Sequence, residues 1–147
     1  MPNKKIIIIN GPNLNLLGER EPEVYGTKTL ADLEEMVRNH IEKSNLKIDT
    51  AFFQSNSEGE LVNSIQNSGK ELNGIIINAG GLSHTSVSIL DALLAIKIPK
   101  IEVHISNLFT REEFRHSSYI SKGVNGVICG FGLNGYLLAI DGINKLI

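Results

Sequence analysis

The sequence predicts a doubly wound α/β domain in three layers, a five-stranded parallel sheet with helices on both faces. Two observations carry this prediction. Short β-branched runs without polar alternation recur along the chain, the pattern of strands buried on both faces of a parallel sheet. Between them, apolar residues follow the helical period, and parallel strands need such helices as right-handed crossovers. With 147 residues, 41% hydrophobic and 20% charged, residues 1–147 have the size and balance of one compact domain.

Residues 4–9 open the sheet with Ile6-Ile7-Ile8-Ile9. Residues 11–28 show no periodicity, although a strand and the next helix are normally joined by roughly 2–6 residues, so this long connection reads as a lid. Thr29 stands as N-cap of a helix with Asp32 in its first turn. Leu30, Leu33, Val37 and Ile41 form its apolar face, and it ends near Ser44. Residues 46–53 alternate more and suit an edge strand. Ser57 and Glu60 make an S-x-x-E capping box that opens a helix through Leu61, Val62 and Ile65 to a stop at Gly69. Residues 74–77 form the next strand. Residues 85–96 are apolar nearly all round, which buries that helix between the sheet and something else, and Pro99 helps to end it. Residues 100–103 and 126–129 supply the last strands, and Leu133, Tyr136, Leu137, Ile140 and Ile143 mark a closing helix. Without repeats, low-complexity tracts or linkers, this alternation implies a sheet of the flavodoxin type.

Composition excludes several classes of function. Fourteen basic against sixteen acidic residues leave a net charge of −2, so no global field draws the chain to nucleic acid or to an anionic membrane. The single cysteine, Cys129, forms no internal disulfide and no zinc finger. The run at 6–9 is too short for a signal-peptide core, and no stretch reaches transmembrane length. The expectation is a cytoplasmic protein that handles small molecules.

In such a sheet, ligands bind outside the carboxyl ends of the strands. Those ends are polar here: Asn10-Gly11-Pro12-Asn13, Gln54-Ser55-Asn56, Asn78-Ala79-Gly80-Gly81, the tract 102–106 and Gly130-Phe131-Gly132. Any one end is explained by ordinary loop formation, but all of them together point to a site. The 11–28 segment carries Arg20 and Tyr25 among the turn formers Gly18, Pro22 and Gly26. A phenol titrates near pH ~10, and an opposite charge within ~4–6 Å lowers such a value by roughly 1–3 units, which makes the pair a candidate base. A surface tyrosine packed on its own loop is the competing reading. Glu102 and His104 stand at i and i+2 of one strand and so share a face, where a carboxylate orients an imidazole as a general acid. The competing reading is an edge pair that only solvates the sheet.

Other patterns carry less. The four histidines, at 40, 84, 104 and 116, form no HxH or HExxH arrangement, so no metal is expected. Residues 130–135 spell GxGxxG, but the closing unit lacks a following strand with a ribose-binding acid, so these glycines are expected to let the last helix approach the sheet. Ser83, His84 and Asp91 suggest a triad, yet no GxSxG elbow is present, and His84 and Asp91 are expected as i, i+7 neighbours on one helix face.

Several tracts together resemble the type II 3-dehydroquinate dehydratases: residues 9–15, Arg20, Tyr25-Gly26, residues 77–80, His84-Thr85-Ser86, Asp91, residues 102–107, residues 111–115 and residues 130–132. The likeness spans essentially the whole chain in the family's order and spacing. It implies anti-dehydration of 3-dehydroquinate to 3-dehydroshikimate in the shikimate route, through an enolate, with no metal, cofactor or Schiff base. It also implies that Tyr25 removes the proton beside the ketone, that Arg20 holds Tyr25 ionised and that Asn13 stabilises the enolate through a water. His104, oriented by Glu102, then protonates the departing hydroxyl. Asn78 and the Ile105-Ser106 amides and hydroxyl would meet the substrate carboxylate, and His84, Arg115 and Asp91 its ring hydroxyls, with Asp91 reaching in from a neighbouring subunit. The family assembles as a dodecamer, a tetramer of trimers, which would cover the apolar 85–96 helix. Leu90 stands where the family often has arginine.

The rival reading is a non-catalytic flavodoxin-like module that binds a nucleotide or flavin. Such a module wants hydroxyls in the first loop and aromatics around the ring, whereas residues 10–15 have no hydroxyl and tryptophan is absent. A Schiff-base enzyme needs a lysine on a buried strand, and Lys100 lies only at a strand start after Pro99.

Overall fold

The computed structural model describes residues 2–147. Five parallel strands form one sheet in the order β2-β1-β3-β4-β5: β1 (Lys4–Asn10), β2 (Ile48–Gln54), β3 (Gly74–Asn78), β4 (Lys100–His104) and β5 (Gly126–Cys129). The helices are α1 (Pro22–Tyr25), α2 (Leu30–Lys43), α3 (Glu58–Glu71), α4 (Val87–Ala95) and α5 (Asn134–Asn144). This is the expected doubly wound arrangement.

Alternate strand residues feed two cores. Ile6, Ile8, Ile76, Ile101 and Val103 meet α2 and α5 through Leu33, Val37, Tyr136 and Ile140. Ile9, Ile75 and Ile77 meet α3 and α4 through Leu61, Ile65, Ile89 and Leu93. Burial of β-branched side chains on both faces holds the central strands in register. The chain leaves β1 toward β2 and then returns to the other side of β1 with β3, so a crevice opens where the winding reverses.

Helix starts follow the capping chemistry. Thr29 Oγ1 accepts from Asp32 N, and Asp32 Oδ2 accepts from Thr29 N, a complete capping box. The expected box at Ser57 is only half made: Ser57 Oγ accepts from Glu60 N, but the Glu60 carboxylate takes Ser55 Oγ at 2.5 Å instead.

Four local expectations are corrected. α3 passes through Gly69 to Glu71, because Gly69 is where the helix packs against Ile96 and a side chain there would collide with it. β5 is the second edge of the sheet, so its apolar run does not mean burial, and Val127 stays 49% exposed. Of the closing glycines, Gly130 and Gly132 are needed for positive φ (95° and 60°), and only Gly135 approaches a strand, at Val103. Finally, α4 starts at Val87, because Ser86 caps it by accepting from Ile89 N at 2.9 Å. His84 closes a separate 3₁₀ turn, Gly80–His84, so it shares no helix face with Asp91.

The 11–28 connection is more structured than its lack of period implies. A 3₁₀ turn, Leu14–Leu16, and α1 shape it, and Leu14 and Leu17 bury their side chains beneath it.

Candidate active site

A cleft of about 120 Å³ lies at the carboxyl ends of β1, β3 and β4. Its floor is where β1 and β3 turn outward side by side. Gly11 permits this approach, since a Cβ there would sit 2.5 Å from Ala79 O. Below the turns, Tyr136 of α5 is completely buried and pins both strand ends: its hydroxyl donates to Asn10 Oδ1 at 2.6 Å and accepts from Asn78 Nδ2 at 2.9 Å. Burial pushes the Tyr136 phenol far up, only partly opposed by Asn78, so it serves as a neutral hydrogen-bonding post. Asn78 Oδ1 accepts from Gly80 N at 3.1 Å, which orients the amide.

One wall comes from the 11–28 segment. The guanidinium carbon of Arg20 lies 5.0 Å from the centre of the Tyr25 ring, and that of Arg111 lies 5.3 Å from it. Two cations therefore face one phenol. Arg20 also reaches Glu21 at 3.5 Å, whereas Arg111 Nη1 donates to Ser106 Oγ at 3.2 Å and is anchored to the loop after β4. Asn13 adopts φ 71°, and its N–H donates to Asn56 Oδ1 at 2.9 Å, a geometry that asparagine tolerates better than most residues.

A histidine pair also lines the cleft. On β4, the Nε2–H of His104 donates to Glu102 Oε2. Ser118 Oγ donates to the same oxygen at 2.8 Å, and Ser121 Oγ to Oε1 at 2.5 Å. Burial pushes the Glu102 carboxyl toward its neutral form, but the His104 hydrogen bond and charge and the two hydroxyls outweigh it, so Glu102 is held below the usual carboxylate range. His84 stacks on His104 with ring centres 6.1 Å apart. Its Nδ1–H donates to Ser117 O at 2.8 Å, which leaves Nε2 as an acceptor. Burial holds His84 below the ordinary histidine range, and the positive charges of His104 and Arg115 add to this against the Ser117 bond and Glu102.

Of the residues singled out in the sequence, Asn13, Arg20, Tyr25, Asn78, His84, His104, Ile105, Ser106 and Arg115 line this cleft, with Glu102 directly behind His104. Asp91 does not line it. It sits exposed on the outer face of α4, with Val87 (55% exposed) and Leu94 (58%) before and after it on that face. Arg111, Ser118, Ser121 and Tyr136 received no role from the sequence. Arg111 and Ser118 lie in irregular loops and Ser121 in a short 3₁₀ turn, Ile120–Gly123, none with a period to mark it, and Tyr136 looks like any other core position of its helix.

A family model described as "Dehydroquinase class II" matches residues 4–144. The chain belongs to this family. The class II dehydroquinase is 52% identical over 140 residues to a 3-dehydroquinate dehydratase of Prochlorococcus marinus strain NATL1A, covering 94% of each chain. It is 54% identical to one of Janthinobacterium sp. strain Marseille over 139 residues, again 94% of each. A crystal structure of type II dehydroquinase from Butyrivibrio crossotus DSM 2876 superposes with a TM-score of 0.92 at 45% identity, covering 97% of this chain and 98% of that one. These relationships favour the enzyme over the nucleotide- or flavin-binding module. In this dehydroquinase, Lys100 stands at the opposite end of β4 from the cleft, where its buried Nζ donates to the carbonyls of Leu93 and Ile96. Among the described residues, no helix is long and apolar enough to cross a membrane, and no three His, Cys, Asp or Glu side chains are grouped to hold a metal ion.

Proposed function

We propose that this dehydroquinase converts 3-dehydroquinate to 3-dehydroshikimate by anti elimination, with its base and its acid supplied to one cleft by two different elements. The observation that carries this is the pairing of a phenol faced by two guanidiniums with an imidazole backed by a buried carboxylate. Tyr25 Oη accepts the proton next to the ketone, and Arg20 and Arg111 supply the positive charge that an anionic phenol oxygen needs. The electron pair left on carbon delocalises into the ketone as an enolate, whose oxygen meets a water held by Asn13. Collapse of the enolate expels the hydroxyl, and His104 donates a proton to it from Nδ1, the ring nitrogen not committed to Glu102, so that water leaves. Tyr25 and His104 then exchange their protons with solvent. No cofactor takes part in this sequence.

The substrate carboxylate binds at Asn78 and the Ile105-Ser106 backbone, and its ring hydroxyls at His84 and Arg115. The neutral His84 ring offers Nε2 as the acceptor for one of them. Asp91 completes the site of a neighbouring subunit: its helix face, with Val87 and Leu94 exposed, has the apolar character of a surface covered on assembly. The assembly is a dodecamer of four trimers, each chain a single catalytic domain, working in the cytoplasm. An ultraviolet assay for the conjugated enone formed from 3-dehydroquinate tests the reaction, and absence of signal at micromolar enzyme would overturn it.

A further inference from the structure

We propose that Ser118 and Ser121 are positioning residues of this reaction, their hydroxyls holding Glu102 as an oriented carboxylate against which the His104 ring is set. The inference rests on reading Glu102 and His104 as the acid pair. Ser118 donates to Oε2 at 2.8 Å and Ser121 to Oε1 at 2.5 Å, and His104 Nε2 shares Oε2. Both carboxylate oxygens are thus engaged by donors. Hydrogen bonds to an ionised carboxylate are roughly twice as strong as those to a neutral carboxyl, so these donors favour the anion. Glu102 has no exposed surface, and these groups stand where water would otherwise solvate the charge.

The segment that supplies the hydroxyls is rigidly tied. Tyr119 N donates to Ser83 O at 2.8 Å, Ile120 is completely buried, and Gly123 packs against Leu90 and Leu93 of α4. Ser117 O, in the same stretch, takes the Nδ1–H of His84. Residues 117–121 therefore address both stacked imidazoles in different ways. His84 receives a neutral carbonyl that fixes its tautomer, while His104 receives, through the two serines, a full negative charge.

The titratable surroundings of Glu102 are few. His104 lies on its own strand, His84 on the turn after β3, and Arg115 beyond His84. Lys100, two residues back on the same strand, turns its Nζ to the carbonyls ending α4. From α4 the inward residues are the apolar Ile89, Ala92 and Leu93. The serine hydroxyls are thus the uncharged groups that decide how firmly Glu102 keeps its charge.

Ser118→Ala and Ser121→Ala test this when kcat and KM are followed across the pH range, with Ser121→Thr as the variant that retains the hydroxyl. Each alanine should lower kcat roughly 10-fold or more with KM little changed. It should also move the acid limb of kcat to higher pH, because Glu102 then takes up a proton more readily, and threonine should restore both. Folded alanine variants with wild-type kcat and acid limb would overturn the proposal. Should the alanine variants fail to fold, Ser118→Cys and Ser121→Cys replace them, keeping the size but weakening the donor. A wild-type acid limb in these is equally fatal. Glu102→Gln separates the two levels of inference: if it keeps full turnover, the acid-pair reading falls, and if it is crippled while the serine variants are not, only the role of the serines falls.

Discussion

The Arg111 guanidinium stands 5.3 Å from the centre of the Tyr25 ring while its Nη1 donates to Ser106 Oγ at 3.2 Å. One side chain thus joins the segment after β1 to the loop after β4. It places a second cation beside the phenol from an element other than the one that carries Arg20. Arg111→Ala should therefore lower turnover by roughly 10²-fold, the scale on which loss of one preorganised electrostatic group is felt. Arg111→Lys should recover only part of it, since an ammonium cannot reproduce the planar stacked fork. Steady-state kinetics of the two variants checks both statements.

Tyr25→Phe keeps the ring beside its two guanidiniums and removes the proton acceptor. Turnover should fall by about 10²–10⁴-fold or more with the unfolding temperature little changed. Near wild-type turnover in a folded protein would mean that another group is the base.

Tyr136→Phe should act on stability first. The lost hydroxyl leaves Asn10 Oδ1 and Asn78 Nδ2 short of a partner in a buried place. The expected cost is about 1–3 kcal/mol, read as a lower denaturant midpoint with unchanged m. Because the Asn78 amide is then held only through Gly80 N, KM should rise more than kcat falls.

Acid should weaken the protein in two windows. His84 is held below its ordinary range, so from pH ~6.5 downward the unfolded chain binds a proton that the folded one refuses, and stability falls until the folded ring also titrates. Glu102 is likewise held low, so its contribution is present above the unfolded carboxylate value and is lost as pH falls through the folded one. Urea midpoints measured against pH should show the upper window flattened in His84→Gln and the lower one in Glu102→Gln. An unchanged slope in either variant would remove that residue from the account.

Asp91 is tested by mixing. Tyr25→Phe and Asp91→Asn chains, each nearly inactive alone, should regain activity when unfolded together and reassembled, because some sites then draw both native groups from different chains. If mass spectrometry shows mixed oligomers without recovered turnover, Asp91 does not complete a neighbour's site.

Much of this molecule was legible in local pattern. The strand run at Ile6–Ile9, the Thr29–Asp32 cap and the polar strand ends depend on neighbours within a few residues, where period and capping chemistry act. Glu102 and His104 were legible as a pair because two residues along a strand bring side chains to one face. The start of α4 was not, because the Ser86 cap and the turn through His84 cut across an apolar stretch that continues smoothly in sequence. By itself, then, the sequence determined the layered fold, the end of the sheet that holds the cleft, and most residues that line it. Only the tertiary structure decided that Arg111 faces Tyr25, that Ser118 and Ser121 hold Glu102, that Tyr136 pins Asn10 and Asn78, and that Asp91 points away from its own chain's cleft. Those relationships join residues far apart in the chain through irregular segments, and no periodicity encodes a distance that only the packing of β1, β3, β4 and α5 brings about.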